Sequence, residues 1–193
     1  GNVRSVQKAF EYVAPNDTCI LTKDPQVIRE ADRVVFPGQG AMGSCMNALE
    51  SNSLIDEIKL SFKSKPFLGI CLGMQLLFDY SEENQGTKGL SIVPGKVEKF
   101  KSNELKIPHM GWNNVEQVKE HPLWHNIDNH SRFYSVHSYF VKPIDSKCVV
   151  GTTSYGHKFT SAIAIEKVFA VQFHPEKSQN DGLQLLTNFV SWT

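Results

Sequence analysis

Apolar residues at Val3, Val6, Phe10 and Val13 recur at spacings of three and four, the stripe of an amphipathic helix covering Gly1 to Val13. Thr18-Cys19-Ile20-Leu21 then reads as a short strand. Asp24 before Pro25 supplies an N-cap and a proline at the first helical position, with Val27, Ile28 and Ala31 on the apolar side of the helix they open. Arg33 to Phe36 is a strand stopped by Pro37-Gly38, and a helix follows from Met42 to Leu49. Another helix begins at Ser53, with Ile55, Ile58 and Phe62 on one face, and Phe67 to Ile70 is a buried strand. Strands alternating with helices in this way predict parallel strands joined by crossover helices.

From Gly89 to Phe173 the pattern changes. β-branched and aromatic residues are broken by Pro, Gly and Asn, as in Val93-Pro94-Gly95, Gly111-Trp112-Asn113-Asn114 and Tyr155-Gly156, which predicts mainly strands and turns. A closing helix carries Leu183, Leu186 and Val190 on one face. The predicted fold class is α/β: a three-layer arrangement with an open, mostly parallel central sheet, flanking helices and additional antiparallel strands in the second half. No repeat or linker divides the chain, and 193 residues suffice to close one core, so residues 1–193 are expected to form a single domain.

Charge removes several function classes. Twenty basic residues balance twenty acidic ones, with no block of like charge, so no long-range field exists to hold nucleic acid. Apolar runs are too short to span a bilayer and the chain opens on no signal peptide, so a cytoplasmic protein is expected. The four cysteines, Cys19, Cys45, Cys71 and Cys148, are scattered with no C-x-x-C pair, which argues against a zinc site or a disulfide framework. His121 and His125 are four apart, but Pro122 follows the first and no acidic residue accompanies them as in H-E-x-x-H. They are read as surface residues, and neither a metal nor a cofactor is expected.

Gly69-Ile70-Cys71-Leu72-Gly73 has the G-x-nucleophile-x-G form, between a predicted strand and the helical-looking Met74 to Phe78. In such an elbow the glycines relieve crowding and the nucleophile is exposed at the end of the sheet. Cys71 would stand at a helix N-terminus, whose amides favour a thiolate, with the Leu72 amide placed for an oxyanion beside the sulfur. Alone, this pattern is more often packing around a small residue. Further on, Val168 to Phe173 is a strong strand ending in His174-Pro175-Glu176. Proline keeps His174 extended, so 174 and 176 project to one side and the carboxylate can fix the imidazole tautomer. Alone, H-P-E is more often a turn. Together the two segments supply nucleophile, base and orienter: Cys71, His174 and Glu176.

Leu68 to Gln75, taken with Gln172 to Glu176, resembles the motifs of class I, triad-type glutamine amidotransferases. Pro108-His109-Met110-Gly111-Trp112-Asn113 and Tyr134-Ser135-Val136-His137-Ser138-Tyr139 are similar to the branch that forms glutaminase subunits of imidazole glycerol phosphate synthase. The resemblance covers nearly the whole chain, although that family usually opens with a short hydrophobic strand that this sequence lacks. It implies a Cys71, His174, Glu176 triad with Gly38, Gln39, Gly40 and Leu72 around the oxyanion. Gln75, Glu83, His137, Ser138 and Tyr139 would surround glutamine, and Pro108 to Asn113 would lie near a partner. Each has a plainer reading: Gly38 and Gly40 as a turn, Gln75 as a polar helix position, 134–139 as a half-buried strand, Trp112 as a core aromatic. The implied reaction is glutamine hydrolysis through a cysteinyl thioester. Its ammonia would pass to a (β/α)8-barrel cyclase subunit in a heterodimer, making imidazole glycerol phosphate and an aminoimidazole carboxamide ribotide in histidine biosynthesis. The alternatives are a triad glutaminase serving another synthase and a non-catalytic module of the same fold.

Overall fold

The structure is a computed structural model and describes residues 2–101 and 105–193. Helix α1 (Asn2–Val13) forms as its apolar stripe predicts, burying Val6, Ala9 and Phe10, and Gly1 lies outside the described residues. Helix α2 (Pro25–Glu30) opens as expected, with the Asp24 carboxylate accepting the Gln26 amide at 2.8 Å. There follow β1 (Val34–Gly38), α3 (Met42–Ser51), α4 (Ile55–Ser64), β2 (Phe67–Cys71) and α5 (Leu72–Gln75). The second half is strands and turns: β3 (Phe78–Ser81), β4 (Thr87–Lys88), β5 (Val93–Lys99), β6 (His109–Asn114), β7 (Glu116–Gln117) and β8 (Arg132–His137). It continues through β9 (Tyr139–Pro143), β10 (Val149–Tyr155), β11 (His157–Ile165) and β12 (Val168–Val171), and closes with α6 (Gln179–Ser191).

Among the described residues the main sheet runs β1-β2-β12-β11-β9-β5-β3-β4, with β10 on β11 and β7 on β10, while β6 and β8 form a separate ribbon. Parallel pairing joins β1, β2 and β12, and again β3 and β5. The other ladders are antiparallel, so the sheet is mixed. The chain reaches the sheet's parallel core twice, first through β1 and β2 and then, after the antiparallel excursion, through β12.

Alternation along β12 makes the layers. Val168 and Ala170 enter one core with residues of α3, α4 and α5, whereas Phe169 and Val171 enter the other with Phe10 of α1 and Leu185, Leu186 and Phe189 of α6. Phe10 and Phe189 meet edge to face at 6.0 Å, locking α1 against α6. No helix of the described residues is long and apolar enough to cross a membrane.

Two predicted elements take other forms. Thr18 to Leu21 is not a strand: the described sheet stops at β1, whose ladder is with β2, and without a partner a β-prone segment has no hydrogen bonds to gain. Ile20 and Leu21 are accordingly 62 % and 58 % exposed. The helix expected across Met74 to Phe78 ends at Gln75 after one turn, and Phe78 already begins β3. Leu76, Leu77 and Phe78 are fully buried, and the sheet offers that burial sooner than a longer helix could.

Candidate active site

Three parallel strands end side by side. The ladder pairs Gly38 at the end of β1 with Cys71 at the end of β2, and Ile70 with Val171, so that Gln172 follows next to Cys71 and His174 two residues on. Carboxyl ends of parallel strands are where α/β sheets gather functional groups, because the chain leaves the ladder there and side chains converge.

Cys71 has φ +55° and ψ −108°, a conformation L-residues rarely adopt, and the chain turns sharply there from β2 into α5. The flanking glycines are steric requirements. A side chain at Gly73 would collide with the Phe36 carbonyl, and one at Gly69 would press on Ala170 and the backbone of Gly73. Gly38 is similarly constrained, since a Cβ there would stand 2.9 Å from that of Leu72. The elbow is thus present and Cys71 is half-buried, but α5 is a single turn. Its first amides have no intrahelical acceptor, whereas its macrodipole is small, so local N–H groups replace the helix field expected from sequence.

His174 is extended, at φ −107° and ψ 94°, as Pro175 requires. Residues Pro175–Lys177 do not continue extended; they close a 3-10 turn, with the Lys177 amide donating to the His174 carbonyl. The turn still brings the pair together. Glu176 Oε1 lies 2.8 Å from His174 Nδ1, and the two side chains are 2 % and 0 % exposed. Burial pushes the His174 imidazole down, but hydrogen bonds from Cys71 and Glu176 and their charges outweigh it and raise its pKa to about 9. With Nδ1 on the carboxylate, Nε2 is the ring nitrogen left for the sulfur.

The ribbon β6-β8 is stitched to this corner. The His174 amide donates to Tyr134 O at 2.9 Å, the Tyr134 amide to Ser178 Oγ at 2.9 Å, and Ser178 Oγ to His174 O at 2.6 Å. On its outer side Trp112 meets Tyr134 edge to face and Lys177 lies over the Tyr134 ring. Strand alternation divides Pro108 to Asn113: Met110 and Trp112 are 61 % and 39 % exposed, while His109 is buried. Trp112 is therefore not the core aromatic that its type alone suggests.

The other sequence-marked residues fall into two groups. Glu83 accepts the Met42 amide at 2.6 Å, holding the start of α3 just beyond Gly38-Gln39-Gly40, where Gln39 and Gly40 are exposed. Tyr139 lies close enough that its hydroxyl's pKa is raised, by burial and then by Glu83 and Glu82. His137 instead points into a cluster of Phe100, Phe140 and Phe159. Its Nε2 faces His109 Nδ1 at 2.9 Å and its Nδ1 the Tyr139 carbonyl at 2.7 Å, so both ring nitrogens are occupied. The Ser138 carbonyl accepts the Phe100 amide. His121, expected at the surface, is half-buried against Phe169 and Trp192 and accepts the Leu123 amide, whereas His125 is exposed.

Gln172 enters the sequence reading only as the first residue of the segment ending in Glu176, with no role of its own. It is 1 % exposed and its Nε2 lies 3.6 Å from Cys71 Sγ. The signal was a polar residue inside the otherwise apolar run Val168 to Phe173, on the strand leading to His174.

Residues 4–192 match the Glutamine amidotransferase class-I family, and the chain belongs to it. A solved structure described as a glutamine amidotransferase superposes with a TM-score of 0.73 at 15% identity, over 99% of this chain and 93% of that one. The narrower likeness is to the Imidazole glycerol phosphate synthase subunit HisH of Thiobacillus denitrificans, 54% identical over 100% of this chain and 87% of that protein. The HisH subunit of Nitrosomonas europaea is 52% identical over 100% of this chain and 94% of its own length.

Proposed function

We propose that this chain is the glutaminase subunit of an imidazole glycerol phosphate synthase, a cytoplasmic protein that hydrolyses glutamine and delivers ammonia to a cyclase subunit. The observation that carries the reading is a buried imidazole held between a strained elbow cysteine and a buried carboxylate at the ends of three parallel strands. The names of the HisH relatives support the pathway and the need for a second subunit.

In this mechanism the resting pair is a Cys71 thiolate and a His174 imidazolium. The thiolate attacks the side-chain amide carbon of glutamine, forming the C–S bond, and charge moves to the amide oxygen. The Leu72 amide and the Gly38-Gln39-Gly40 loop, which the β1-β2 register sets beside Cys71, supply the oxyanion donors. His174 gives its proton to the departing nitrogen, the C–N bond breaks and ammonia leaves. Neutral His174 then takes a proton from water as the oxygen attacks the thioester. Collapse releases glutamate and restores the thiolate and imidazolium. Glu176 keeps the imidazole oriented and stabilises its charge.

Glutamine itself is assigned to the space bounded by Gln75, Glu83 and the 137–139 backbone. Glu83 would take the ammonium, and His137 would act only through its main chain, since its ring is fully engaged. The exposed Met110 and Trp112, with Tyr134 and Lys177, form the face we assign to a (β/α)8-barrel partner in a heterodimer. The test is glutamine-dependent product formation by the two-subunit complex. Cys71→Ala should abolish it while supplied ammonia still supports the cyclase, and unchanged glutamine turnover would overturn the assignment.

A further inference from the structure

Two glutamines beneath the nucleophile are oriented without ambiguity. The Tyr139 backbone carbonyl can only accept. It lies 3.2 Å from Gln75 Nε2, which makes that atom the amide nitrogen and a donor. The same nitrogen lies 3.0 Å from Gln172 Oε1, so its second hydrogen goes to Gln172 and the Gln172 oxygen is spoken for. What remains of Gln172 is its NH2 group, 3.6 Å from Cys71 Sγ, a normal separation for a large sulfur acceptor. From the other side His137 Nδ1 also bonds Tyr139 O at 2.7 Å and must donate there. Its Nε2 then accepts from His109 Nδ1, and His109 Nε2 accepts from Asn113 Nδ2. Burial lowers the pKa of both histidines, in keeping with the neutral tautomers this pattern needs. Every link thus has one direction, with the Tyr139 carbonyl as the common acceptor.

We propose that Gln172 is a further catalytic residue, an amide donor to the Cys71 sulfur that stabilises its thiolate, and that Gln75 is a positioning residue that fixes which end of Gln172 faces the sulfur. The chemistry favours this arrangement because hydrogen bonds to an ionised acceptor are about twice as strong as neutral ones. Gln172 is also shielded from water, so its N–H is not lost to competing solvent. As the thiolate's charge passes to the amide oxygen during attack, the donor's help shifts from rate toward preparation: it sets how much nucleophile is present at a given pH. Of the titratable groups, His174 bonds the sulfur with Glu176 behind it, and His137 acts at longer range on His174. The adjoining ends of β1 and α5 bring Gly38 and Leu72, which do not titrate.

The inference rests on Cys71 being the nucleophile, but its test does not require glutamine or a partner. The full chain is treated with iodoacetamide across a pH series, and alkylation of the Cys71 peptide is followed by mass spectrometry, which separates it from Cys19, Cys45 and Cys148. In Gln172→Leu the midpoint of the rate profile should rise by about one pH unit, with the high-pH plateau kept, since one bond to an ionised group is removed. Gln172→Glu, nearly isosteric, should raise it at least as far by setting a carboxylate against the sulfur; it carries the same criterion if the Leu variant fails to fold by circular dichroism. Gln75→Leu, which frees Gln172 to rotate, should give a smaller rise in the same direction. A midpoint unmoved in the folded Gln172 variants overturns the proposal while leaving the glutaminase reading intact. The expected midpoint shifts with no glutamine hydrolysis in any complex would instead fault that reading alone.

Discussion

His174 just beyond β12 and His137 at the end of β8 are both buried, and burial alone drives an imidazole toward its neutral form. They finish on opposite sides of the ordinary value. His137 falls to about 3: burial dominates, and its bond to the Tyr139 carbonyl recovers only part of the loss. His174 rises to about 9, because the Cys71 sulfur and the Glu176 carboxylate outweigh the same burial. Full countercharge separates the two. A histidine among Phe100, Phe140 and Phe159 is a tautomer-fixed strut, while one between a thiol and a carboxylate is held toward its protonated form, as the proton-donor role we propose for it requires.

The sharpest way to break this contrast is to remove the imidazole we propose as the proton carrier. His174→Ala should lower glutamate release by roughly 10^4-fold, whereas His137 titrates unchanged. Next comes Glu176→Gln, which keeps a hydrogen-bond acceptor and deletes the charge. We expect roughly 10^3-fold less glutaminase activity and a His174 midpoint, followed by ring NMR, that drops from about 9 toward 6.5. The folded His174 pKa is raised, so its contribution to stability is complete below 6.5 and is lost as pH climbs from there through about 9; the Gln variant should show a smaller alkaline decline, the share owed to Cys71 remaining. Gly73→Ala disturbs the elbow without touching either imidazole. Its methyl meets the Phe36 carbonyl, and urea unfolding should show a cost of about 3 kcal/mol. The smallest effect is His137→Gln. The folded His137 pKa is depressed, so its contribution is present above 6.5 and lost as pH falls toward 3. The acid limb of the stability curve should therefore be shallower in the variant by about 1.4 kcal/mol per pH unit.

Much of this site is written locally in the chain. A glycine-flanked cysteine after a buried strand and H-P-E after another mark the residues we propose as nucleophile, base and orienter, because each depends on backbone shape that nearby residues dictate. Elements whose form is decided elsewhere are less legible. Thr18 to Leu21 has strand composition but no ladder partner, and Met74 to Phe78 has helical composition in a place where β3 must begin. Gln172 acquires meaning only when β12 is laid beside β2 and Gln75 comes within reach across 97 positions. His137 and His121 show the same limit: their type and spacing name candidates, and only packing shows one ring engaged at both nitrogens and the other half-buried as a cap.

The most direct test of the central claim is to quench the two-subunit complex in acid during turnover of carbon-labelled glutamine and map the label by peptide mass spectrometry. A glutamyl thioester on Cys71, absent in Cys71→Ala and decaying at the rate at which glutamate appears, is the expected result. Label on another residue, or steady glutamate production with no covalent intermediate on Cys71, would contradict it.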